Sequence, residues 1–133
     1  MSLGKSLSDI KVRDIMAKQI ISADPSTTLF QISKLMEQGV GAILVKKDSI
    51  PAGIITDRDF AIKIAAKKIP IDTTVDKVAS YPLKTINLDE SVLKAAEMMA
   101  TLKIRKLAVS ESDKIVGIIT STDIVKLVAS NNP

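Results

Sequence analysis

The sequence predicts an α/β fold made of two pseudo-symmetric repeats, and three observations carry that prediction. The stretch Gly53-Ile54-Ile55-Thr56-Asp57-Arg58-Asp59 returns as Gly117-Ile118-Ile119-Thr120-Ser121-Thr122-Asp123. Val12 to Met36 aligns with Val75 to Met99 at a constant offset of 63, and Gly41 to Ala66 aligns with Arg105 to Ser130 at 64. One residue is therefore gained between Met99 and Arg105. The chain of 133 residues is 46% hydrophobic, yet its aromatic residues are Phe30, Phe60 and Tyr81, with no Trp. A core is affordable, and it has to be built from Ile, Val, Leu, Ala and Met. Two copies in this length fit one pseudo-symmetric module better than a solenoid.

Each element has a local reason. Residues 7–17 predict a short helix, with Ser8 or Asp9 near its start and Ile10, Ile15 and Met16 as its apolar stripe. Its counterpart covers 74–80, capped by Asp72, Thr73 or Thr74. Short strands follow at 20–23 and 83–87. Pro25-Ser26-Thr27-Thr28 and Asp89-Glu90-Ser91 then open the main helices. Leu29, Ile32, Leu35 and Met36 in one, and Val92, Ala95, Ala96 and Met99 in the other, recur at core spacing. Strands 42–46 and 52–56, and again 106–110 and 115–120, are joined by the short polar turns Lys47-Asp48-Ser49 and Glu111-Ser112-Asp113, as in hairpins. The last helix of each copy starts at the repeated motif. Lys67-Lys68-Ile69-Pro70 closes the first copy, because the residue before Pro disfavours helix. The repeats are thus expected at 7–68 and 69–130. A three-stranded sheet with two helices cannot cover itself. The two sheets are expected to pack across a pseudo-two-fold axis, with the two motifs flanking a central cleft.

Composition excludes several kinds of chemistry. There is no Cys and no His, which removes thiolate and imidazole metal ligands, Cys nucleophiles and His acid–base catalysis. No Gly-x-x-x-x-Gly-Lys loop is present. An enzyme is not expected, and a metal-dependent phosphotransferase relying on scattered carboxylates ranks last. The formal charge of +4 fits a Lys-rich solvated surface. No block of Lys and Arg and no stacking aromatics argue for nucleic acid. No apolar run reaches membrane-spanning length. Met1-Ser2-Leu3-Gly4-Lys5-Ser6 lacks the apolar stretch of a secretory signal, so a cytoplasmic location is expected.

The motif itself combines two signals. Ile-Ile after Gly asks for a buried strand. Thr-x-x-Asp is the chemistry of a helix start, where a side-chain oxygen satisfies orphan N–H groups. Such a junction concentrates N–H donors and positive dipole and favours an anion. One Thr-x-x-Asp is most often only a cap. Two, each with Gly three residues before the Thr, point to paired sites.

These motifs, together with the β-α-β-β-α order and Arg105-Lys106-Leu107-Ala108-Val109 before the second hairpin, resemble a tandem cystathionine β-synthase (CBS) domain pair. This arrangement is also called a Bateman module. The stretch from Gly53 to Lys68 resembles the first repeat of small stand-alone prokaryotic members, and the likeness runs from about Leu7 to Ala129. The resemblance implies a non-catalytic regulatory module for adenosine-containing ligands: AMP, ADP, ATP or S-adenosylmethionine. It implies no required cofactor, with an adenine nucleotide as the regulatory ligand. It further implies that the Asp accepts ribose hydroxyls, while the Thr hydroxyl and helix N–H groups hold phosphate. One site would take Thr56, Arg58 and Asp59 with Thr85, Ile104 and Arg105. The other would take Thr120, Thr122 and Asp123 with Ser22, Val40, Gly41 and Lys106. Residue chemistry agrees with these roles. A carboxylate is acceptor-only and suits a vicinal diol, and Arg or Lys beside a helix start suits phosphate. Asp57 would repel phosphate unless directed away. Gly41 lacks the basic side chain that Arg105 supplies in the other copy, so the two sites are chemically unequal. The expected partners are the small molecule, a second copy in a homodimer, and a regulated protein. The rival reading is a structural or interaction module with empty sites, acting by dimerisation or weak nucleic-acid contact.

Overall fold

The computed structural model describes residues 6–130; of the N-terminal stretch assessed above for a signal, all but Ser6 lies outside them. The backbone divides into two compact units. One is Ile21–Leu83, and the other joins the chain up to Ile20 with the chain from Lys84 onward. Sequence repeats and compact units therefore divide the chain differently.

In the unit of the first repeat, β1 (Ser22–Ala23), β2 (Ala42–Lys47) and β3 (Ile50–Thr56) form a sheet in that order. β1 pairs parallel with β2, and β2 pairs antiparallel with β3. A parallel neighbour needs a crossover, and α1 (Leu29–Glu37) supplies it. Thr28 caps α1 by accepting the Gln31 N–H at 3.2 Å, while the Gln31 side chain accepts the Thr28 N–H at 3.0 Å. This reciprocal pair satisfies two donors that the first turn leaves orphaned. The second unit repeats the plan with β4 (Thr85–Asn87), α3 (Val92–Leu102), β5 (Lys106–Glu111) and β6 (Lys114–Thr120). There Ser91 caps α3 through the Lys94 N–H at 3.0 Å.

Both hairpins turn on two residues, one fewer than the expected polar turns. Asp48 and Ser49 have φ of 53° and 67°, and Ser112 and Asp113 have 47° and 68°. Left-handed geometry at both positions matches the twist of the flanking strands, and Asp tolerates it better than most residues. Each hairpin carries a register shift at the same place, Val45/Lys46 and Val109/Ser110.

The largest departure from expectation lies before each first strand. The helices expected over 7–17 and 74–80 are single 3₁₀ turns, Val12–Asp14 and Val75–Lys77. Beyond each turn a single residue bridges to a strand. Ala17 exchanges two hydrogen bonds with Ile118 of β6, at 2.8 and 2.9 Å, and Ser80 exchanges two with Ile54 of β3, at 2.9 and 3.1 Å. A short isolated helix is costly to nucleate, and here tertiary pairing offers the backbone a better use of its donors. These segments are exchanged between repeats. Val12, from the first repeat, is fully buried among Ile86, Val92, Ala95, Leu107, Val109 and Ile119 of the second. Val75, from the second, is fully buried among Leu29, Ile32, Ile43, Val45 and Ile55 of the first.

The crossing explains the repeated glycines. A Cβ on Gly53 would lie 2.6 Å from Tyr81 Cε1 and 2.7 Å from the Ser80 carbonyl oxygen. On Gly117 it would lie 2.7 Å from the Ala17 carbonyl oxygen and 2.8 Å from Met16 Sδ. Only hydrogen fits beneath the crossing segment.

Candidate functional site

At the first motif β3 ends at Thr56, whose extended backbone (φ −124°, ψ 165°) hands over to the short α2 (Asp57–Asp59). The helix continues as a π-helical segment, Phe60–Ala65, with the Ala66 N–H donating to the Ala61 carbonyl oxygen. Such wide turns often mark functional positions. The Asp59 residue is only 8% exposed. Its Oδ2 accepts the Thr56 N–H at 2.8 Å and the Thr56 hydroxyl at 3.2 Å. Its Oδ1 lies 3.5 Å from Lys63 Nζ. That ammonium also donates to Ser80 Oγ at 2.9 Å and to the Val78 carbonyl oxygen at 3.3 Å. Asp57 donates its N–H to the Gly41 carbonyl oxygen, and its Oδ1 accepts the Arg58 N–H at 2.9 Å. One first-turn donor is thus already taken by a carboxylate of the chain itself.

At the second motif β6 ends at Thr120 and α4 (Ser121–Ser130) begins directly. Asp123 Oδ2 accepts the Thr120 N–H at 2.9 Å, and Thr120 Oγ1 accepts the Asp123 N–H at 3.2 Å. These two bonds form a reciprocal cap. Among the described residues Asp123 Oδ1 meets no donor and no cation. The Ser121 N–H donates to the Arg105 carbonyl oxygen at 2.9 Å, and Lys106 stands opposite Thr120 in the β5–β6 register. The second unit therefore gathers Arg105, Lys106, Thr120, Thr122 and Asp123 at one strand–helix junction. The first gathers Gly41, Thr56, Arg58 and Asp59.

The other expected site residues are distributed by unit. Ser22 is exposed on β1 opposite Leu44, and Thr85 is exposed on β4 opposite Ala108. Val40 packs against the first-repeat core and Ile104 against the second-repeat core. Arg58 and Thr122 are exposed beside their Asp residues. Two features of the first motif were not anticipated: the Lys63 ion pair and the use of Asp57 as a local acceptor. Both carried a sequence signal. An Asp followed by Lys four residues later is a helical ion-pair spacing, and the corresponding positions of the second repeat hold Leu127 and Ser121.

No group of three or more acidic side chains suited to a metal ion occurs among the described residues, and no described helix is long and apolar enough to cross a membrane. Lys and Arg at the junctions are matched to anions, and the Asp carboxylates to hydroxyl donors.

The CBS domain family model matches residues 12–66 and 75–130. This chain belongs to the CBS domain family and has the fold of CBS-domain pairs. It is 33% identical over 121 residues to the CBS domain-containing protein YhcV of Bacillus subtilis (strain 168), covering 90% of this chain and 86% of that one. An uncharacterized conserved protein from Pyrococcus horikoshii superposes with a TM-score of 0.86 at 27% identity, covering 97% of both chains. The CBS domain pair of protein MJ0100, solved in complex with 5′-methylthioadenosine and S-adenosyl-L-methionine, superposes with a TM-score of 0.79 at 26% identity, covering 90% of this chain and 96% of that one. Among the first curated relatives, the chain spans 62% of one and 43% of another.

Proposed function

We propose that this chain is a non-catalytic regulatory module that binds adenosine-containing ligands at its two Thr-x-x-Asp junctions. The observation that carries the reading is the duplicated junction itself: a strand ends on Thr, a helix begins, and an Asp carboxylate is fixed by the backbone N–H of that Thr, at 2.8 Å in one copy and 2.9 Å in the other. A carboxylate held this way keeps acceptor capacity for a ribose diol. The adjacent first-turn N–H groups and Arg58, Arg105 and Lys106 suit the anionic end of AMP, ADP or ATP. The complex of MJ0100 with 5′-methylthioadenosine and S-adenosyl-L-methionine supports ligands of the same class for this chain.

Ser22, Val40, Gly41, Thr85 and Ile104 complete the proposed contacts through apolar and backbone groups. The chain acts as a homodimer in the cytoplasm and transmits ligand occupancy to a regulated protein. Titration calorimetry with AMP, ADP, ATP, 5′-methylthioadenosine and S-adenosylmethionine tests the reading. Saturable binding of at least one of them supports it. If none binds, the interaction-module reading replaces it.

A further inference from the structure

The two carboxylates at the heart of the proposed sites are not in the same state. On Asp59, Oδ2 already accepts two hydrogen bonds from Thr56, and Oδ1 faces the Lys63 ammonium at 3.5 Å. The carboxylate is nearly buried and the Lys63 side chain is 31% exposed, so this pair is screened less than one on an open surface. Lys63 is also held from its other side by Ser80 Oγ and the Val78 carbonyl oxygen. Its head is therefore positioned by three partners rather than free to swing away. On Asp123, Oδ2 accepts one bond and Oδ1 meets no donor among the described residues. The side chain at the position corresponding to Lys63 is Leu127, packed against the second-repeat core. It has no charge to offer.

A second difference points the same way. In the first motif Asp57 Oδ1 occupies the Arg58 N–H. In the second, Ser121 stands at that position, and no acceptor is found for the Thr122 N–H among the described residues.

We propose that Lys63 is an internal cation that occupies the ribose-holding carboxylate of the first motif, so that an adenosine ligand fills the Asp123 motif first and the Asp59 motif only by displacing Lys63. This rests on the adenosine-binding reading above and assigns the order in which its two sites fill. A ribose diol needs two acceptor directions. Asp123 offers them at once, whereas Asp59 must first give up a charge-assisted contact. Lys63 is a specificity-determining residue that acts through Asp59.

The test uses 5′-methylthioadenosine, which carries no phosphate, so Arg58 and Arg105 do not contribute through that group. Calorimetric titrations are run on the full chain and on Asp123→Ala, Lys63→Met, Lys63→Met/Asp123→Ala and Lys63→Arg/Asp123→Ala. The wild-type chain is expected to show one tight site, and Asp123→Ala to weaken it at least about tenfold. Adding Lys63→Met to Asp123→Ala should tighten the remaining site at least about fivefold, since one competing contact is removed. Adding Lys63→Arg should not, because the cation is kept. Leu127→Lys provides an arm that leaves the Lys63 contacts intact: it should weaken the tight site by about as much as Lys63→Met relieves the other. Equal affinity of the Asp123→Ala chain with and without Lys63→Met, or a tight site that survives Asp123→Ala, overturns the order of filling while leaving adenosine binding in place. Absence of binding by every chain, to this ligand and to the other four of the wider panel, overturns both.

Discussion

At Gly53 and Gly117 the largest side chain the backbone admits is a hydrogen, because a carbonyl oxygen of the crossing segment lies 2.7 Å from the Cβ position in both cases. The obstacle is backbone held by two hydrogen bonds, so it cannot swing aside as a side-chain tip would. Gly53→Ala and Gly117→Ala should each lower stability by about 1–3 kcal/mol, the usual cost of overpacking, read as a fall in the urea midpoint at unchanged slope. A midpoint equal to wild type would mean that the crossing segment is held loosely. At the proposed sites, Asp123→Ala should cost about 1.5–3 kcal/mol in adenosine-ligand affinity per charge-assisted hydrogen bond lost, measured by calorimetry alongside a melting curve. The melting curve matters because Asp123 is also part of a helix cap, and loss of a cap alone costs about 1 kcal/mol of stability.

At the scale of elements, the exchanged 3₁₀ turns are the chain's most distinctive device. Val12 belongs to the first repeat by sequence and to the core of the second by packing. Val12→Ala should therefore destabilise β4, β5 and β6 before β1, β2 and β3. Amide hydrogen exchange followed residue by residue would show which sheet loses protection first; preferential loss in β1 to β3 would contradict the exchange of segments. Val75→Ala should give the mirror result. The segment from Ser80 also carries Tyr81, whose hydroxyl pKa is raised above 10.0 by burial first and by the nearby Asp76 charge second. A raised folded-state value means that the neutral phenol is the stable form. Its contribution is complete below about pH 10 and fades as the pH climbs through the folded value. Tyr81→Phe should remove that part of the alkaline decline in stability, seen by comparing urea midpoints at neutral pH and above pH 10.

For the molecule as a whole, Phe30 on α1 and Leu93 and Leu102 on α3 are large apolar side chains left 40–51% exposed. Apolar helix faces of this kind support the proposed homodimer. Analytical ultracentrifugation at micromolar concentration should give the mass of two chains; a monomer throughout would remove that proposal. Nucleotide hydrolysis is not expected, since the sequence has no His, no Cys and no phosphate-binding Gly-Lys loop. Phosphate release that survives repurification and vanishes on one substitution in this chain would overturn that expectation.

The sequence by itself determined the repeat, the type of nearly every element and the two strand-to-helix junctions. It could do so because these depend on short-range patterns: β-branched runs, Thr and Ser caps, and apolar residues at helical spacing. It also made the chemical inequality of the sites visible, in Gly41 against Arg105. Tertiary structure alone decided the rest. The segments 7–17 and 74–80 read locally as helices, yet Ala17 and Ser80 exchange hydrogen bonds with a strand of the other repeat, and no local pattern encodes a partner in another repeat. The same crossing assigned the motif glycines to close packing. It also showed that Asp59 is held by a lysine that Asp123 lacks. That lysine sits at a legible spacing, but only the folded chain brings its ammonium to Ser80 and Val78 and fixes it against the carboxylate.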